Sequence, residues 1–228
     1  MDLSIVTVNW NAYDFARILI ESIAYYSSSQ YEIIIVDNSL KKEKLNYPHV
    51  KMLPQDSNIG HGAGLNLGIR EATAKYTLFL DIDCHILTRN WDTCLLQQMT
   101  NYQVLGGKGV EVKPIRPACM LLETSLGQKY DFCPTPNYRG HRITPEGFDV
   151  AIQAYHQMIR EGVKIGFLES KHPNRYGTMN GEEWCVDNTP LIYHHWHGSH
   201  LKERQVDFEA DLLADKNKLF SQLYWRML

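Results

Sequence analysis

No apolar run in the 228-residue chain approaches the roughly 20 residues that cross a bilayer, so no membrane-spanning helix is expected. Met1 to Val8 is short and apolar with an acid at position 2, without the basic stretch and cleavage site of a secretory leader. A cytoplasmic protein is expected, with any membrane contact peripheral. A surplus of one charge is also missing. Twenty-three Lys and Arg against 26 Asp and Glu leave a net charge of −3, which excludes the broad basic footprint of a nucleic-acid binder. Cysteine is sparse: the five, at 84, 94, 119, 133 and 185, form no C-x-x-C pair and read as reduced thiols. There is no internal repeat, linker or charge block to separate two domains. With 44% hydrophobic and 21% charged residues, the chain has the composition of one folded globular unit over residues 1–228.

What is present is an alternation of buried strands and amphipathic helices. Leu3 to Val8 is apolar almost throughout and ends at Asn9-Trp10-Asn11, the pattern of a buried strand entering a polar loop. Phe15, Ile18, Leu19, Ser22, Ile23 and Tyr26 recur at helical spacing, which predicts a helix over 13–26. Tyr31 to Val36 is a continuous β-branched run closed by Asp37-Asn38-Ser39, so the first 37 residues read as a βαβ unit with a parallel pair. A short strand is expected at 50–53, a glycine-rich turn at 58–64 leading into a helix to about Ala74, a buried strand at 76–80 and a helix at 91–99. Further on, strands are expected at 119–122, 164–168 and 191–196, with 127–142 and 170–190 irregular. Thr144-Pro145 starts a helix to about Glu161, and 207–228 reads as a long C-terminal helix. The fold class is α/β, a mixed, mostly parallel sheet flanked by helices.

Open α/β sheets bind ligands at the carboxyl ends of their strands, which directs attention to the polar residues closing each apolar run. These are Thr7, Asn9 and Asn11, then Asp37, Asn38 and Ser39, then Asp81 and Asp83. Taken singly, such residues also end strands because they favour turns. Asp81-Ile82-Asp83 is the sharpest signal, because residues two apart on a strand project to the same side and their carboxylates converge. Hard oxygen ligands of this kind suit Mg²⁺ or Mn²⁺ and leave positions for water and phosphate oxygens. Asn58-Ile59-Gly60-His61-Gly62-Ala63-Gly64-Leu65-Asn66 is the second signal, with glycines that permit close backbone approach ahead of a helix N-terminus. It is neither a dinucleotide fingerprint nor a P-loop, and tight packing of a turn is the plain alternative.

Four segments in this order, namely Ser4 to Asn11, Ile35 to Ser39, Asn58 to Gly68 and Asp81 to Asp83, resemble the family 2 glycosyltransferases of the GT-A fold. The Asn-Ile-Gly-x-Gly-x-Gly-x-Asn-x-Gly stretch is most similar to the rhamnosyltransferase-type branch. The resemblance is clear over residues 3–90 and weaker over 114–200. It implies a nucleotide-binding half over about 1–100, with an acceptor-side half and the C-terminal helix over about 101–228. It implies that Thr7, Asn9 and Asp37 hold the base and ribose of a nucleotide sugar, that Asn58, Gly60 and Asn66 lie along the donor, and that Asp81 and Asp83 bind Mn²⁺ or Mg²⁺ and the ribose-diphosphate. Of the pair, Asp83 is the expected direct metal ligand. Pro117 to Leu122 resembles the family's Gly-Ala-Cys-Met segment beside the donor sugar, with Pro117 in place of glycine.

The family's catalytic base opens a helix that ends in glycine before a strand. Asp149 holds that place here, with Glu146 as the near alternative and Glu182 or Glu183 the distant ones, because the contiguous Glu-Asp of the family is absent. Some relatives complete the metal sphere with a late histidine. In His194-His195-Trp196-His197-Gly198-Ser199-His200 the resemblance points to His197, although 194 and 196 share one strand face and 195 and 197 the other. The implied activity is inverting transfer of a sugar from a UDP-, dTDP- or GDP-sugar to a glycan or protein-linked hydroxyl. Three rivals stay open: a sugar nucleotidyltransferase, a non-catalytic nucleotide-sugar or glycan-binding module, and a metal-only zinc protein. The broad apolar surface of the C-terminal helix suits packing on the domain body, another domain or a membrane surface.

Overall fold

The computed structural model describes residues 1–107, 115–133, 150–173 and 181–195. The chain opens with β1 (Leu3–Asn9), α1 (Tyr13–Tyr26) and β2 (Tyr31–Asp37), the βαβ unit expected from the apolar periodicity. Both strands run one residue past their apolar cores, because Asn9 and Asp37 still pair across the ladder. β3 (Val50–Pro54), α2 (His61–Glu71), β4 (Tyr76–Leu80), β5 (Cys84–Ile86) and α3 (Trp91–Gln98) follow. The second half contributes β6 (Val104–Gly107), β7 (Cys119–Glu123), the single turn α4 (Thr124–Gly127), α5 (Ile152–Arg160), β8 (Ile165–Lys171), β9 (Glu182–Val186) and β10 (Thr189–His194).

The strands join in one sheet of order β3-β2-β1-β4-β7-β6-β8-β9-β10-β5. The β3-β2-β1-β4 half is parallel throughout. β7 enters antiparallel between β4 and β6, and β8, β9, β10 and β5 continue antiparallel to one another. Strand alternation divides the core in two. Leu3, Ile5, Ile33, Ile35, Leu78 and Leu80 face α1, while Val6, Ile34 and Phe79 face α2 and α5. Every one of these nine is at most 1% exposed, so the parallel half is covered on both faces.

Several local expectations are corrected. Asp81-Ile82-Asp83 is a turn rather than a continuation of β4, closed by the Cys84 amide donating to the Asp81 carbonyl at 3.0 Å. The region expected to be irregular at 170–190 contains β9, which pairs with β10 as a hairpin. β5 and β6 were not legible as strands: at three and four residues they are too short for any period to register.

The glycine-rich stretch is also different from a turn. α2 begins at His61, so Gly62, Gly64 and Gly68 lie inside the helix. A Cβ on Gly68 would come 2.2 Å from Val6 Cγ1, one on Gly64 2.7 Å from Val8 Cγ2, and one on Gly62 2.6 Å from the Phe132 carbonyl. Packing distance against β1 therefore accounts for Gly64 and Gly68, and packing against the Phe132 backbone for Gly62. Gly60 is the one that needs a special backbone: it precedes the helix at φ 87° with open space around it. The proposed start at Thr144-Pro145 and the C-terminal helix lie outside the described residues. No helix among the described residues is long and apolar enough to cross a membrane.

Candidate metal and donor site

β4 delivers Asp81 and Asp83 to the edge of the parallel half, and the neighbouring β7 fixes them there. The Asp81 amide donates to the Ala118 carbonyl at 3.1 Å, immediately before β7 pairs Cys119 with Leu80. From the far end of the sheet, β10 pairs antiparallel with β5, setting His194 opposite Cys84. That register turns the imidazole back onto the turn. His194 Nε2 lies 3.3 Å from Asp83 Oδ1 and 3.5 Å from Asp81 Oδ2. One ligand atom from each of Asp81, Asp83 and His194 falls within 4.8 Å of the others. Two carboxylates and an imidazole at that spacing fit a divalent cation.

Burial works against a charge on His194, but the hydrogen bond and charge of Asp83, with the charges of Asp81 and Glu182, outweigh it and hold its pKa above the ordinary value. A cation would compete with a proton for that nitrogen. The ring is oriented by stacking: the indole of Trp184 lies on it with centroids 5.4 Å apart and planes 18° from parallel. Trp184 lies flat because position 107 is glycine, where a Cβ would come 2.4 Å from Trp184 Nε1. Behind the turn, His195 donates its backbone N–H to the Asp83 carbonyl at 3.0 Å, and its ring meets His85 across a 2.8 Å Nε2···Nδ1 contact. Burial, with His85 next to it, pushes the His195 pKa well down and keeps that ring neutral.

Asn9 and Asp37 meet at the carboxyl ends of β1 and β2. Asn9 Nδ2 donates to Asp37 Oδ1 and to Ser39 Oγ, both at 3.0 Å, and Asn9 Oδ1 accepts from the Ala12 amide at 3.0 Å. Tyr13 donates its hydroxyl to Asp37 Oδ2 at 2.6 Å, and burial together with that carboxylate pushes the Tyr13 pKa up. These bonds shape the β1–α1 connection from inside. Thr7 is fully buried, and its hydroxyl has no hydrogen-bond partner among the described residues. Asn58 Oδ1 accepts from the Gly60 amide at 2.8 Å, and Asn38 Nδ2 reaches the Gly60 carbonyl at 3.4 Å, so the approach to α2 is tied to the end of β2. Asn66 faces the other way. It donates to Asp131 Oδ1 at 2.6 Å and accepts from the Phe132 amide at 3.0 Å, clamping the segment after α4.

Asp149, Glu146 and His197 lie outside the described residues. The histidine placed beside the acidic pair is His194, whose parity with Trp196 was legible in the sequence but whose register was not. Glu182 is 1% exposed, with Arg116 Nη1 at 2.9 Å on one carboxylate oxygen and the Ser170 hydroxyl on the other, an arrangement that holds strands together rather than one poised to take a proton.

Residues 4–114 match the family model described as Glycosyl transferase family 2. The uncharacterized glycosyltransferase YibD of Escherichia coli K12 is 36% identical over 101 residues, covering 41% of this chain and 29% of that protein. Beta-1,4 N-acetylgalactosaminyltransferase 1 of Mus musculus is 36% identical over 81 residues, covering 36% of this chain and 15% of that protein. The matches thus span less than a third of these relatives. Among solved structures, S. aureus TarS residues 1–349 align over 97% of this chain and 72% of that one, with a TM-score of 0.58 and 15% identity. The same protein in complex with UDP-GlcNAc aligns over 75% and 57%, with a TM-score of 0.53 and 18% identity. Residues 4–114 thus carry the family 2 glycosyl transferase signature, set in a GT-A fold.

Proposed function

We propose that the chain transfers a sugar from a nucleoside diphosphate to an acceptor hydroxyl with inversion, using a divalent cation held by Asp81, Asp83 and His194. The observation that carries this reading is the convergence of those three side chains, from the interior strand β4 and from β10 near the far end of the sheet, on the carboxyl edge where such folds bind nucleotides. A mixed oxygen and imidazole set favours Mn²⁺ over Mg²⁺. Bound there, the cation would supply positive charge opposite the departing diphosphate.

The solved TarS complex with UDP-GlcNAc, of the same fold, supports a nucleotide-sugar donor. UDP-, dTDP- and GDP-sugars are the candidate donors, carrying a hexose or a rhamnose, and a glycan or protein-linked sugar is the acceptor class. Thr7, Asn9 and Asp37 border the base and ribose side, and Asn58 and Gly60 the path along the donor, while Asn66, bonded to Asp131 and Phe132, is left out of that path. Asp149 is assigned as general base: it takes the acceptor O–H proton as that oxygen attacks the anomeric carbon and the bond to the diphosphate oxygen breaks on the opposite side. A single displacement of this kind inverts the anomeric centre.

Thermal shift with UDP-, dTDP- and GDP-sugars, with and without Mn²⁺, tests the reading, since a ligand bound only by the native state raises its melting temperature. One nucleotide sugar should stabilise the chain in a Mn²⁺-dependent way, and Asp83→Ala should abolish the shift. Asp149→Asn should keep the shift and lose turnover. Absence of any cation-dependent shift would overturn the metal-dependent mechanism, and full turnover in Asp149→Asn would remove that residue as the base.

A further inference from the structure

We infer that His61, the first residue of α2, is a positioning residue that orients the Asp81 carboxylate for cation binding; the inference rests on the metal reading of the site given above. Asp81 is fixed at its backbone, by its amide on the Ala118 carbonyl at 3.1 Å and its carbonyl under the Cys84 amide at 3.0 Å. The freedom left to it is rotation of the carboxylate, whose side chain is 27% exposed. That carboxylate lies between two imidazoles from different elements. Oδ2 faces His194 at 3.5 Å, and Oδ1 faces His61 Nε2 at 3.4 Å.

His61 is not one of the three residues whose ligand atoms converge within 4.8 Å, so it acts on Asp81 rather than on an ion. The His61 ring, 3.4 Å from Oδ1, bounds the rotation of the carboxylate and leaves Oδ2 toward His194 and Asp83. Without it, the carboxylate would be free to rotate toward water. The position of His61 follows from Gly60: the φ of 87° turns the chain into α2 so that the first side chain of the helix meets the turn after β4. The glycine-rich stretch and the acidic pair, separate signals in the sequence, are thereby one device.

The test is calorimetric titration of MnCl₂ into the full chain as wild type, Asp83→Ala, His61→Ala and His61→Gln, with apo melting temperatures measured alongside. Partners that orient a metal ligand typically contribute ~10-fold or more in affinity. His61→Ala is expected to weaken Mn²⁺ binding by about 10-fold at an unchanged melting temperature, and His61→Gln, whose side-chain amide can reach Oδ1, to recover most of the loss. Wild-type affinity in His61→Ala, while Asp83→Ala loses binding, overturns the role of His61 and leaves the metal reading standing. Equal loss in the Ala and Gln variants with a lowered melting temperature also overturns it, in favour of a packing role. No Mn²⁺ uptake by the wild type overturns both readings.

Discussion

The indole of Trp184 lies on the imidazole of His194 at 5.4 Å and 18°, and that ring in turn reaches Asp83 at 3.3 Å. The stack is the means by which a buried aromatic on β9 aims an imidazole on β10. A flat face is what His194 needs from position 184, more than bulk. Trp184→Phe is expected to keep Mn²⁺ affinity close to wild type, whereas Trp184→Leu should weaken it by about 10-fold, the usual scale for removing a partner that orients a ligand. Both lose stability, by less than the roughly 3 to 5 kcal/mol that truncation of a buried tryptophan to alanine costs. Calorimetric Mn²⁺ titration of the two variants, compared at temperatures where both are folded, separates orientation from stability.

Gly68 is set by contact rather than by backbone conformation. An added Cβ would stand 2.2 Å from Val6 Cγ1, and Val6 is wholly buried in the central strand. Alanine elsewhere in a helix gains about 1 kcal/mol over glycine. Here overpacking, which costs about 1 to 3 kcal/mol, is expected to win and lower the melting temperature of Gly68→Ala. Combining it with Val6→Ala should give less loss than the sum of the two single changes, because the second vacates the space the first needs.

Glu32 gives the fold an acid-sensitive tie. Its Oε1 accepts from Ser4 Oγ at 2.6 Å, the Thr73 amide at 2.8 Å and Thr73 Oγ1 at 2.7 Å. Burial pushes its pKa up, but the Ser4 and Thr73 bonds outweigh it and hold the carboxyl below its ordinary 4.5. The unfolded chain therefore binds this proton more readily than the folded one. The stabilisation is complete above about pH 4.5 and is lost as pH falls through the lowered folded value. Glu32→Gln should reduce stability near neutral pH and flatten its decline on acidification, read by denaturant unfolding across that range. An unchanged acid slope would show that Glu32 does not carry it.

The Arg116–Glu182 pair joins the approach to β7 to the start of β9, with Glu182 almost wholly buried. Removing one partner of a buried pair strands the other, at a cost of about 3 kcal/mol. Arg116→Met should therefore lower stability substantially, while Arg116→Met with Glu182→Met recovers part of the loss. If the double variant turns over substrate once folded, Glu182 is excluded as the proton acceptor.

Much of the architecture was readable from pattern. α1 was bounded at Tyr13 and Tyr26 because its apolar spacing is strict and Ser27-Ser28-Ser29 breaks it, and β4 was bounded because a continuous apolar run meets two aspartates. Asp81 and Asp83 were recognisable as candidate ligands for the same reason: the two carboxylates sit at the end of a local signal. β5, β6 and β9 carried no such period, and without β5 and β9 the placement of β10 had no reference.

Local pattern was therefore enough for the parallel half, its helices and the acidic pair, because hydrophobic periodicity within a dozen residues is a sufficient physical cause of those elements. It was not enough for the partners of the pair. His194 rather than its neighbours faces Asp83 because β10 pairs with β5 in one register, and a shift by one residue would present the opposite face. His61 reaches Asp81, and Gly62, Gly64 and Gly68 lie against β1 and Phe132, only once α2 is laid on the sheet. Those contacts join residues distant in sequence, where excluded volume and strand register do the selecting.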